Sequence, residues 1–393
     1  MREVVAPVEA DLDWGRALAW RLRRQFLLER ATSTDLVSVA ARLGGVHAQV
    51  LSSAAASLAV RMAPAVGAGL ELALWSDRSL VKLWAMRGTL HVLPAADHPV
   101  WVAAMDLYSS AYAHYGMRDR DLLSLAESVG EVLHDRLLTR TELEHEVRRL
   151  GQLPAAVVDL LADSWGSVLK PASFRGHLCF GAGQAGRSYF TSPSTWLAAP
   201  RATVNYDEAL SEVARRYFGV YGPATTQDLG AWWGVSARLA ATMVALIRPE
   251  LAEVQIEQQR YWILHRHLDE LVSTAALDPD NLTVRLLPSF DPWVTAGNRR
   301  GRPGIGNPTL DAAHRSAIFR PQGWVSPAVI MNGRIVGTWA SKARSVAVTF
   351  LESPSPRLQA AVDAEIDVLR HQRSAETTPE EGQSVHGHLS GSN

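Results

Sequence analysis

The stretch "YGPATTQDLGAWWGVSARLAATMVALI" (residues 221–247) decides how this chain folds. Apolar residues recur at helical spacing on both sides of Gly234, and Ser236 stands where a helix cap belongs. "VNYDEALSEVARRYFG" (204–219) precedes it with helical spacing of its own, and "LAEVQIE" (251–257) and "RYWILHR" (260–266) follow as strand-like runs. A helix, a helix–turn–helix and then a hairpin is the order of a winged helix.

The same order repeats upstream. "TRTELEHEVRRLG" (139–151) and "PAAVVDLLADSWGSVLKPA" (154–172) read as helices, and "GHLCFGAGQAGRSYF" (176–190) as a strand, a Gly-rich tip and a strand. In the first quarter, "DWGRALAWRLRRQFLLER" (13–30), "STDLVSVAARLGG" (33–45) and "VLSSAAASLAVRM" (50–62) read as helices, with "LVKLWAMRGTLHVLP" (80–94) a strand pair turned at Gly88. Residues 281–350 differ. "NLTVRLLPSFDPW" begins with strand alternation, "NRRGRPGIGNP" (298–308) is a basic loop, and Asn332-Gly333 between apolar runs is a strong hairpin signal. The expected fold class is α+β: winged-helix units over 1–118, 119–200 and 201–272, then a β domain with a closing helix over 273–372. Residues 373–393 are too polar to bury a core and are expected to be a disordered tail.

Composition narrows the function. A chain of 393 residues, 47% hydrophobic, can build several cores. Net charge of -1 gives no global signature for nucleic acid, so any such contact must use local patches. One cysteine, Cys179, excludes an internal disulfide framework and a Cys-based zinc site. The histidines form no ligand pattern, so no metal or cofactor is expected. No apolar run approaches a membrane span, and a cytoplasmic monomer is the expectation. Arg16, Arg21, Arg23 and Arg24 lie in the first helix beside Trp14 and Trp20. They can line DNA or form a solvated face. Arg299, Arg300 and Arg302, with Arg334 and Lys342 beyond, are candidate phosphate contacts because their loop carries no acid. The helix "SARLAATMVALIRPE", which would read a major groove, is small and apolar. That weakens the alternative of a non-catalytic DNA-binding regulator or drug-sequestration protein.

"LGGVHAQ" (43–49) holds the sharpest polar feature, His47 and Gln49 two residues apart. Such residues share a side in an extended chain but diverge by about 200° in a helix. A joint role therefore needs an extended backbone, and Gly44 and Gly45 can end the preceding helix to supply it. Arg87, Thr89 and His91 in "MRGTLH" alternate as strand residues would. Asp291 can cap a turn before Pro292 or stabilise positive charge near a substrate.

"LGGVHAQ", "LWAMRGTLHVLPAADH" (83–98), "YGPATTQDLGAWWG" (221–234), "VRLLPSFDPW" (284–293) and "GRIVGTWA" (333–340) together resemble the winged-helix DNA glycosylases of the AlkZ/YcaQ type. The resemblance implies tandem winged helices plus a β domain around a concave DNA-binding surface. It implies hydrolytic, monofunctional excision of N7-alkylguanine from double-stranded DNA, including bulky natural-product adducts and interstrand crosslinks, in base excision repair or antibiotic self-resistance. The family motif, Gln, an apolar residue, then Gln or Asp, falls on His47-Ala48-Gln49. Gln49 matches it, and His47 replaces the usual Gln. Pocket roles then fall to Arg87, Thr89, His91 and Asp291. A loop or hairpin, 298–304 or Asn332-Gly333, would press into a groove.

Overall fold

The computed structural model describes residues 8–32, 35–63, 69–105, 119–163, 167–184, 187–197, 203–297, 309–342 and 345–376. It is a mixed α/β molecule. In chain order its strands are β1 (Ala10–Leu12), β2 (Val46–His47), β3 (Leu80–Trp84), β4 (Leu90–Pro94), β5 (Leu138–Thr139), β6 (Cys179–Gln184) and β7 (Arg187–Thr191). Then follow β8 (Leu251–Ile256), β9 (Gln259–Leu264), β10 (Val284–Leu287), β11 (Ala328–Met331), β12 (Arg334–Lys342) and β13 (Ser345–Phe350).

The central sheet has the order β2-β4-β3-β6-β7-β5. From either edge it reads as a short strand, the second arm of a hairpin, then the first arm. The halves meet where Lys82 of β3 lies opposite Phe180 of β6. Each half is built in the same chain order. The first runs from helix Leu36–Arg42 through β2, helix Leu51–Ala59 and a π-helical turn, Leu72–Ser76, to β3 and β4. The second runs from helix Asp119–Leu133 through β5, helices Arg140–Leu150 and Ala155–Asp163, to β6 and β7. A third copy follows: helix Tyr206–Tyr221, an isolated bridge of Ala224 to Trp262, helices Thr226–Trp233 and Ala237–Leu246, then β8 and β9. By this order the helix before the first hairpin is the short turn Leu72–Ser76. "VLSSAAASLAVRM" instead matches the helix after the short strand.

The amino-terminal segment joins the third copy rather than the first. β1 runs parallel to β8, with Ala10 opposite Val254. The helix Trp14–Arg24, capped by Asp13, buries Trp14, Ala17 and Trp20 against Ala252, Val254 and Ile263. Its other face carries Leu18 and Leu22 into a cluster with Leu287, Trp293 and Ile330 of the β domain. Buried on two sides, it glues the third copy to the β domain. It stops at Arg24 because the chain turns at Phe26, whose φ is 56°. Two of its arginines are used internally. Arg24 Nε donates to the Gly219 carbonyl at 3.0 Å, and Arg21 donates to the carbonyls of Gly222 and Pro223. These carbonyls lie at the end of helix Tyr206–Tyr221, where cations satisfy both lone pairs and dipole. The solvated-face reading of Arg21 and Arg24 gives way to helix capping.

The β domain is the antiparallel sheet β10-β11-β12-β13. Asn332 and Gly333, at φ 48° and 81°, turn β11 into β12 as the sequence predicts. The tip is docked: Trp293 Nε1 donates to the Gly333 carbonyl at 3.1 Å, and a Cβ at Gly333 would lie 3.0 Å from the Trp293 ring and 3.5 Å from the Leu18 side chain. This turn is therefore not a free wedge for DNA. The loop 298–304 lies outside the described residues, as does the tail from 377. The closing helix runs Pro356–Glu376, four residues past its expected end at 372, and Leu358, Val362 and Ile366 pack under Val284, Val329 and Trp339.

Candidate active site

Two glycines start the site. The N–H groups of Gly45 and Gly44 donate to the carbonyls of Ala40 and Ala41, closing helix Leu36–Arg42 with a Schellman pattern. Gly45 has φ 94°, and a Cβ there would lie 2.3 Å from the Leu93 side chain. The chain then extends, as a joint role for His47 and Gln49 requires. Val46 and His47 pair with Val92 and His91 of β4, and the Ala48 N–H continues the ladder to the Leu90 carbonyl at 2.7 Å. His47 and His91 form a non-hydrogen-bonded pair, the kind that brings side chains closest. Their rings meet edge to face with centroids 5.4 Å apart.

His91 is fully engaged. Its Nδ1 lies 3.0 Å from the Thr89 carbonyl, and its Nε2 3.4 Å from a guanidinium nitrogen of Arg87. Only a ring protonated at Nδ1 satisfies both, so this pattern assigns the tautomer. Arg87 does not continue the strand. It occupies a turn, Met86–Gly88, with φ 59°, and reaches the Trp232 carbonyl at the end of helix Thr226–Trp233. The Arg87 backbone needs Gly234 beside it: a Cβ at that glycine would lie 2.7 Å from Arg87 Cγ. Thr89 turns its hydroxyl to the Met86 carbonyl at 3.2 Å. The expected alternation of Arg87, Thr89 and His91 thus holds only from Thr89 onward, because a turn replaces the strand before it.

His47 is 6% exposed and lies under the β domain. Phe290 stacks on its ring at 4.5 Å and 17°. Phe290 has φ 63°, a costly conformation for an aromatic residue, so its surroundings must hold it there. The neighbour that does so is Asp291. Fully buried, it accepts two 2.8 Å bonds from the guanidinium of Arg61, itself fully buried, and one at 2.9 Å from the Trp293 N–H. Arg61 also donates to the Ser57 carbonyl at 2.6 Å in helix Leu51–Ala59, which begins just after Gln49. The contacts close a ring: the motif leads into its helix, the helix to Arg61, Arg61 to Asp291, and Phe290 back to His47.

Gln49 is exposed, at a bend beside this ring, and its side chain makes no hydrogen bond to another described residue. The repeats show what is unusual here. In the second and third copies the residue before the matching helix is Thr139 or Thr225. Each forms a reciprocal capping box, with Glu142 or Asp228. In the first copy that place is Val50, which makes no capping bond. The helix that follows the motif is thus the one of the three without a side-chain cap.

Other candidates are dispersed. Arg299, Arg300 and Arg302 lie outside the described residues. Arg334 and Lys342 are exposed at opposite ends of β12. A register shift between Val329 and Ile330 swaps the faces of β12 between them. Ile335 accordingly packs toward Leu18, and Trp339 under the closing helix. Sequence reasoning missed Arg61, Phe290 and Trp324. An arginine at the end of a run as apolar as "AAASLAV" was the available signal for Arg61, since a buried charge there demands an acid.

The sheet of repeated units carries the His47–Gln49 stretch on one short strand, with the buried Arg61–Asp291 pair behind it, and so gathers the candidate residues around one unit only. The model of the family "DNA glycosylase AlkZ-like" matches residues 40–371, and the chain belongs to that family. Its structure is similar to that of the Streptomyces sahachiroi DNA glycosylase AlkZ, with a TM-score of 0.82 and 31% identity, covering 92% of this chain and 97% of that one. An interstrand DNA cross-link repair glycosylase from Streptomyces sahachiroi is 34% identical over 348 residues, 86% of this chain and 90% of its own length. Family membership makes DNA the substrate. Among the described residues, no single helix is long and apolar enough to cross a membrane.

Proposed function

We propose that this glycosylase excises N7-alkylguanine from double-stranded DNA by hydrolysis, acting as a monomer, with bulky adducts and interstrand crosslinks among its substrates. The name of the cross-link repair relative supports the last part. The three copies are read as winged helices, and with the β domain they make a concave face for the duplex. Antibiotic self-resistance is the setting a bulky natural-product adduct would give it.

The observation that carries the reading is Gln49, exposed and without a hydrogen-bond partner among the described residues, beside the buried His47–His91 pair. An N7-alkylated guanine is cationic. Breaking its bond to the sugar gives the electron pair to the base, which leaves neutral and needs no strong acid. The sugar becomes oxocarbenium-like and takes up water, which loses a proton to solvent or a nearby base. An amide that accepts from this water and donates to its surroundings orients it. His47 stands behind Gln49 as base or pocket wall. Arg87, Thr89 and His91 hold His47 from one side, and Asp291, through Phe290, from the other.

A lysine nucleophile is disfavoured close by. Lys82 pairs with Val92, as does Val46, so it shares the face of Val46 and not that of His47. DNA contact is assigned to Arg299, Arg300, Arg302, Arg334 and Lys342. Regulation by base reading is the weaker reading, because the outer face of helix Ala237–Leu246 shows Ala237, Ala241, Thr242 and Ala245 around a single Arg238.

The test is duplex DNA carrying 7-methylguanine or a bulky N7 adduct. Free base and an alkali-labile site are expected. Gln49→Ala and His47→Ala should each slow release by about 10²-fold or more, with duplex binding within about twofold. Tight binding with no released base would overturn the enzyme reading, and wild-type rates in both variants would overturn the site.

A further inference from the structure

Trp324 is 44% exposed, the only exposed tryptophan among the described residues. Its ring meets Phe290 at 4.9 Å and 75°, and Phe290 is the ring stacked on His47. A continuous aromatic path therefore runs from solvent to the motif. The backbone beneath Trp324 is fixed. Gln322 and Gly323, at φ 60° and 78°, make a tight turn, and the Trp324 carbonyl accepts from the Arg320 N–H at 2.9 Å. Phe319 bridges Val325, and the Ser326 N–H donates to the Ile318 carbonyl at 2.9 Å, anchored by buried Ile318 and Val325. Such a loop can bury its largest ring or display it, and it displays it. Arg320, exposed on the same loop, forms no ion pair with a carboxylate among the described residues. Its Nε is held by the Ser326 hydroxyl at 3.1 Å.

We propose that Trp324 is a stacking residue that determines lesion specificity, taking the flat π face presented at the lesion, with Arg320 meeting an adjacent phosphate. This rests on reading the His47–Gln49 region as the excision site. A flat π face has two sources, the nucleobase itself or a planar aromatic substituent carried on its N7. An indole is suited to either, because stacking asks only for a planar partner. A rigid aromatic also contributes contact area at small entropic cost.

The experiment measures binding by fluorescence anisotropy, independently of turnover. Full-length wild type, Trp324→Ala and Trp324→Phe are compared on three duplexes: undamaged, carrying 7-methylguanine, and carrying a polycyclic aromatic N7-guanine adduct. Stacking on a single ring is worth about 1–3 kcal/mol, so alanine should weaken lesion binding by roughly 5- to 150-fold. Undamaged duplex should bind within about twofold of wild type, and Trp324→Phe should recover most of the loss. A loss confined to the polycyclic adduct identifies the substituent as the partner. A loss on both lesions but not on undamaged DNA identifies the base. Unchanged affinity on all three, or the same loss on all three, would overturn the proposal. A wild type that binds lesions selectively yet releases no base would refute the glycosylase reading while leaving the Trp324 comparison readable. Melting temperatures within about 2 °C of wild type separate the effect from misfolding, as an exposed ring should allow.

Discussion

Asp291 shows how a single residue is read differently by sequence and by structure. In the sequence it is an acid before a proline, equally suited to a turn or to charge stabilisation. In the fold its carboxylate faces Arg61, a partner 230 residues away, and no local pattern encodes that distance. The pair is not a large net gain, because both charges lose their water, but removing one partner strands the other. Asp291→Asn is therefore expected to destabilise the protein by about 3 kcal/mol, visible as a lower denaturant midpoint. It should also free Phe290 from its φ of 63°. The double variant Arg61→Met, Asp291→Asn should recover part of the loss. An unchanged midpoint in the single variant would remove this pair from the account of how Phe290 is held. His47 was legible as a polar residue of note, whereas its burial under Phe290 was not, because the contact joins two parts of the chain with no shared pattern.

At the scale of elements, local signals performed well. The glycine pair after Arg42, the Asn332-Gly333 turn and the helices around Gly234 all appear where short-range chemistry puts them. Each depends on backbone conformations that only neighbouring residues dictate. What local chemistry could not supply was partnership: which helix serves which copy, and that the first helix belongs with the last. The missing cap at Val50 is the element-scale feature with the clearest consequence. Val50 has extended φ and ψ of -114° and 109°, which suit a capping residue. Val50→Thr should therefore gain roughly 1 kcal/mol, read as a rise in melting temperature. If the motif keeps that helix start open for its substrate, excision should fall in the same variant. A rise in stability at full activity would show the open cap to be incidental.

For the whole molecule, the informative contact is between the halves of the central sheet. His98 begins the helix His98–Met105 and lines one cavity with Gly176 and His177 of the second half. Burial pushes its pKa down to about 4. A depressed value means that the fold prefers the neutral ring. This stability is fully present above the unfolded value near 6.5 and is lost as pH falls toward 4. Between pH 7.5 and pH 5 the protein should lose about 2 kcal/mol from this group. His98→Phe should flatten that part of the melting-temperature profile. An equally steep profile in the variant would assign the acid sensitivity elsewhere. Cys179, also buried, has its thiol pushed well above the usual range, so it should resist alkylating reagents until the protein unfolds.

The ring of contacts around His47 also bears on how the protein is made. The motif, its helix and Arg61 leave the ribosome early. Asp291 and Phe290 follow more than two hundred residues later. Until they arrive, Arg61 has no counter-charge and His47 no cover, so the nascent first copy is chemically unfinished and costly to compact. The site is thus set by the end of translation rather than its beginning. A chain cut short before the β domain would carry His47 and Gln49 without the Phe290 cover or the Asp291 counter-charge.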